Sequence, residues 1–70
     1  MTYAQKIKMV LGYKKMKESE LARLIQTSLS AFNQRMKTDK FTIEDLEKIA
    51  DKLGCVFSPG VFEFPDGTRI

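Results

Sequence analysis

Two adjacent amides, Asn33 and Gln34, follow the hydroxyls of Ser28 and Ser30 in a segment with no acidic residue from Thr27 to Thr38. An Asn or Gln side chain carries both donors and an acceptor, so it can form two hydrogen bonds at once to the N6 and N7 edge of adenine. Lys14, Lys15, Lys17, Lys37 and Lys40 lie on either side in sequence, and ammonium groups so placed are candidate partners for phosphate. The acid pairs Glu18 with Glu20 and Glu44 with Asp45 have no histidine, nucleophile motif or phosphate-binding loop beside them. That argues against an active site and against an enzyme. One cysteine, Cys55, and no histidine exclude an intrachain disulfide and the common zinc-ligand sets, so neither metal nor cofactor is expected. Cys55 precedes Val56 and Phe57 and reads as a small buried hydrophobe.

These groups need elements to position them. Tyr3, Ile7, Val10 and Leu11 fall at the spacing of one helix face from Thr2 to about Leu11, with Thr2 as N-cap and Gly12 as the stop. A second helix is expected from about Lys17 or Glu18 to Ile25, its apolar stripe made of Leu21, Ala22, Leu24 and Ile25. A third is expected from about Ser28 or Leu29 to Lys37, anchored by the narrow stripe Leu29, Phe32 and Met36, with everything else facing outward. Asp39 and Lys40 mark a turn. Thr42 can then cap a fourth helix with Asp45 at N3, and Ile43, Leu46, Ile49, Ala50 and Leu53 repeat at helical spacing as far as Gly54, which suits a left-handed C′ position.

After Gly54 the composition shifts to the strand formers Val56, Phe57, Val61, Phe62 and Phe64. Pro65, Asp66 and Gly67 supply the fixed φ, the side-chain acceptor and the positive φ of a tight turn. A short β-hairpin is expected, its last strand running from Thr68 to Ile70, with Pro59 and Gly60 bending or breaking the strand before it. So short a sheet cannot stand alone, so it must pack on the helices or pair with another chain.

Seventy residues fit one domain near the low end of what can bury its own core. Residues 1–54 form its helical part and residues 55–70 a C-terminal arm. The charge is uneven. Residues 1–41 hold nine Lys and Arg against three acids, residues 42–53 two against four, and the remainder one against two. A basic front half favours a polyanion. A membrane-surface role for the basic flank of the first helix (Lys6, Lys8, Lys14, Lys15) is weaker than a solvated face on a core helix. No apolar run is long enough to span a bilayer or serve as an export signal, and a lone thiol suits a reducing cytoplasm.

The order Met16, Glu20, Leu21, Ala22, Ile25, Thr27, Ser28, Phe32, Asn33, Met36 resembles the helix-turn-helix of the Cro and phage-repressor (XRE-like) family. It is especially similar to a short prokaryotic branch in which Phe-Ser/Thr-x-x-Asp-Leu-x-x-Ile-Ala marks the fourth helix. Phe41, Thr42, Asp45, Leu46, Ile49 and Ala50 match that pattern, as Leu53, Gly54, Cys55 and Asp66, Gly67, Thr68 match the branch's β-rich end. Lys17 and Glu18 stand where the family usually has Thr-Gln, Gln26 where it has Gly, and Leu29 and Ser30 where it has Pro-Gln. Gln26 is therefore expected at positive φ.

The resemblance implies a mainly α fold of four or five helices with a short C-terminal hairpin, and a small repressor-like regulator that binds double-stranded DNA. A helix of nine or ten residues is about 14 Å long and can lie in a major groove about 12 Å wide. Ser28, Leu29, Ser30, Asn33 and Gln34 would meet base edges, with Lys14, Lys15, Lys17, Lys37 and Lys40 on phosphates. Arg35 has the alternative of lying along the neighbouring helix. A homodimer is expected, held through Val61, Phe62 and Phe64 of the tail. The rival reading is an antitoxin or another protein-interaction module whose essential surface is the tail and whose partner is a small protein.

Overall fold

The computed structural model describes residues 1–70. Four helices precede a small sheet: α1 Tyr3–Lys14, α2 Glu18–Leu24, α3 Leu29–Thr38, α4 Ile43–Lys52, β1 Val56–Ser58 and β2 Val61–Glu63. The fold is mainly helical with a short antiparallel hairpin, as expected. Ile7, Val10, Leu21, Phe32, Leu46, Ile49 and Phe62 form the fully buried centre, drawing on every helix and on β2.

The helix starts follow local chemistry. Thr2 accepts a hydrogen bond from the Gln5 amide at 3.1 Å while its own amide donates to Gln5 Oε1 at 2.9 Å. Thr42 and Asp45 make the same reciprocal pair at the start of α4. Each pair satisfies two amides that a helix terminus leaves without partners. At α2 the pattern is one-sided: Glu20 accepts from the Lys17 amide at 3.0 Å, but an ammonium side chain has no acceptor to return.

Gly12 does not end α1. The helix continues to Lys14, and Lys15, at φ 53°, makes the left-handed exit. A glycine costs a helix only about 1 kcal/mol relative to alanine, and the extra turn carries Tyr13, whose ring lies 4.7 Å from that of Phe64 and whose hydroxyl donates to Asp66. Gly54, at φ 74°, takes the left-handed position expected after α4. Asp39 is left-handed after α3, and its carboxylate accepts from the Ala4 amide at 2.7 Å. The end of α3 is thereby fixed to the start of α1.

Three apolar residues assigned to buried stripes lie outside the core. Leu24 is exposed, Leu29 is 43% exposed and Ile43 54%. Helical spacing places a residue on a face, but only the neighbouring helix decides how wide the covered part of that face is. Met36 stays half-buried against the core, so Phe32 alone is the deep anchor of α3.

The tail also differs from expectation. Pro59 and Gly60 form the hairpin turn between β1 and β2 instead of breaking a strand, with Phe57 opposite Phe62 in register. Pro fixes φ at the second turn position, and Gly60, at φ 83°, supplies the positive φ of the third, the residue pattern of a type II turn. The Pro65–Gly67 turn is present too. The final residues return along β2, with Phe62 and Ile70 exchanging hydrogen bonds of 2.8 and 2.9 Å and Glu63 bridging Arg69.

Candidate nucleic-acid interface

The turn before α3 sets the site. Gln26 has φ 59°, a conformation uncommon for a residue with a side chain. The Thr27 amide donates to the Ala22 carbonyl at 2.9 Å, so the chain doubles back and starts α3 at once. Ser28 caps the new helix, its hydroxyl accepting from the Ala31 amide at 3.0 Å. That bond occupies one acceptor site of the hydroxyl and leaves its donor free.

Ser28, Leu29, Ser30, Asn33 and Gln34 are all exposed. They run from the N-cap Ser28 to Gln34 in α3, and helical geometry puts Ser30 and Gln34 on the side away from the fully buried Phe32. Neither the tail nor another helix seals them. The helix has no acid in its first turn and carries Arg35 and Lys37 near its end, so its outer surface is uncharged and polar first, then basic. Leu29, left out of the core, adds an apolar contact group of the kind that meets a thymine methyl.

Lysines divide between two regions. Lys37 is exposed on α3, Lys40 follows its end and Lys17 precedes α2. Lys14 is drawn elsewhere, its ammonium 6.0 Å above the ring of Phe64; Lys15, at the exit of α1, is exposed. Arg35 turns toward α4 and pairs with Asp45 at 3.0 Å, the alternative weighed for it from sequence. Burial works to raise the Asp45 pKa, but hydrogen bonds from Thr42 and the nearby Arg35 guanidinium outweigh it and hold the carboxyl below its ordinary value.

A shallow depression where α1, α2 and α3 meet is lined by Lys8, Glu18, Asn33, Met36 and Lys37. Lys8 was absent from the sequence-derived site. Its only signal was membership of the basic flank of α1, since nothing local shows that residue 8 approaches residues 33 and 37.

Of the three residues expected to hold a dimer, Phe62 is 0% and Phe64 6% exposed. Both side chains pack into this chain's own core. Val61 remains partly accessible. Cys55 is buried and unpaired, and burial pushes its thiol pKa up against the opposing influence of Lys14.

Against this geometry, a family model of the Cro/C1-type HTH DNA-binding domain matches residues 6–58. The chain belongs to that family. The matched span takes in α2, the Gln26 turn and α3 and ends with β1, so β2 and the final turn lie beyond it. Comparison with curated proteins and with solved structures gives no match. No helix of this Cro/C1-type domain is long and apolar enough to cross a membrane.

Proposed function

We propose that the protein is a sequence-specific transcriptional regulator of repressor type that lays α3 in the major groove of double-stranded DNA. The observation that carries this reading is the division of α3: Phe32 is wholly buried while Ser28, Leu29, Ser30, Asn33 and Gln34 stay open to solvent. Asn33 and Gln34 supply bidentate hydrogen bonding and the serines smaller polar contacts, while Lys17, Lys37 and Lys40, with Lys8 beside them, engage phosphates. Lys14 and Lys15 would contribute only where the DNA reaches the end of α1. One such helix gives limited discrimination, so the protein acts as a homodimer on two half-sites about 34 Å apart. Such a protein acts by occupying its operator.

Selection from a randomised duplex pool, followed by mobility-shift titration of the winning sequence, tests the proposal. A two-part site should emerge, and affinity should fall steeply with salt as counterions are released. Equal affinity for every sequence, or no binding at low salt, would rule it out. Copurification with a second small protein that depends on residues 59–70 would favour the antitoxin reading.

A further inference from the structure

Glu18 is the one acid in the depression that also holds Lys8, Asn33, Met36 and Lys37. It is half-buried, and neither of the chain's two ion pairs, Arg35 with Asp45 and Arg69 with Glu63, involves it. The carboxylate therefore shares a small surface with two ammonium groups without being neutralised by direct contact with either. An anion entering beside Lys8 and Lys37 meets the same carboxylate, and the surface beside Asn33 is where the proposed complex brings phosphates.

We propose that Glu18 is an affinity-limiting residue, a fixed negative charge that opposes phosphate at the Lys8 and Lys37 depression and so weakens DNA binding equally for all sequences. The inference rests on the DNA-binding reading above. Its physical content is repulsion at a solvated surface, where two unit charges about 4 Å apart in water change an equilibrium by about fivefold. Because phosphate contacts carry no base information, removal of the charge should tighten specific and non-specific complexes together. A carboxylate that instead accepted a hydrogen bond from a cytosine amino group would act at one base position only.

Three proteins, wild type, Glu18→Gln and Glu18→Ala, should be titrated with a selected duplex and a scrambled duplex across a salt series, with thermal melting run in parallel. Both variants should bind both duplexes about fivefold more tightly at low salt, with the gain shrinking as salt rises and the base preferences unchanged. Unchanged or weaker binding by folded variants, or a gain confined to one base position, would overturn the inference while leaving the DNA-binding reading intact. If neither wild type nor any Glu18 variant binds either duplex, the DNA-binding reading fails and this inference falls with it.

Discussion

Helices α3 and α4 have the same length, ten residues each, and both begin on a hydroxyl side chain that caps the residue three positions on. They use their surfaces in opposite ways. Within α4, Leu46, Ile49 and Ala50 are buried, whereas α3 buries only Phe32. The exposed part of α4 carries Glu44, Glu47 and Asp51, and that of α3 has no acid at all. Core packing is thus concentrated in one helix, leaving most of the other uncovered. A helix can present a polar face to a partner only if a few side chains suffice to fix it, and here one phenylalanine, a half-buried Met36 and the ion pair to α4 do so.

The sharpest way to break this contrast is to remove the anchor. Phe32→Ala should destabilise the fold by about 3 to 5 kcal/mol, read as loss of cooperative melting or a large drop in Tm, because no second deep side chain holds α3. A modest loss, below about 1 kcal/mol, would mean that α3 is held by its polar contacts. Asn33→Ala and Gln34→Ala should do the reverse, leaving Tm nearly unchanged and costing about 1 to 3 kcal/mol in DNA affinity at a particular base position. A uniform loss over all sequences would place that residue on a phosphate.

The smallest effect concerns the joint between the two helices. Asp45 has a lowered folded pKa, so its contribution is complete above the ordinary carboxylate value of about 4 and is lost as pH falls through the lower folded value. Both partners are partly exposed, which limits the ion pair itself to about 1 kcal/mol or less. Thermal melts from pH 6 down to pH 2 should show a steeper acid loss for wild type than for Asp45→Asn, and parallel curves would remove Asp45 from the account.

Much of the candidate site was legible because its signals are local. Ser28 and Thr42 cap helices that begin one residue later, and Gln26 takes the positive φ required between α2 and α3. Lys8 and Glu18 were harder to place. The first was one of several lysines on α1 and the second a departure from a familiar pattern, and their shared depression with Asn33 and Lys37 depends on three helices meeting. The burial of Phe62 and Phe64 was hidden for a similar reason. Phenylalanines in strands can face a partner or the chain's own helices, and nothing within residues 55–70 distinguishes the two.

The sequence alone determined where the helices start, that Gln26, Gly54 and Gly67 need left-handed backbone, and that α3 carries Ser30, Asn33 and Gln34 outside a narrow apolar stripe, because hydrogen bonds and φ restrictions reach only a few residues. Tertiary structure decided that Leu29 and Ile43 stay in solvent, that Phe62 and Phe64 enter the core, and that Glu18 sits with two lysines. Burial and electrostatic neighbourhood are properties of surfaces that meet across many residues of chain. They exist only once the helices have packed.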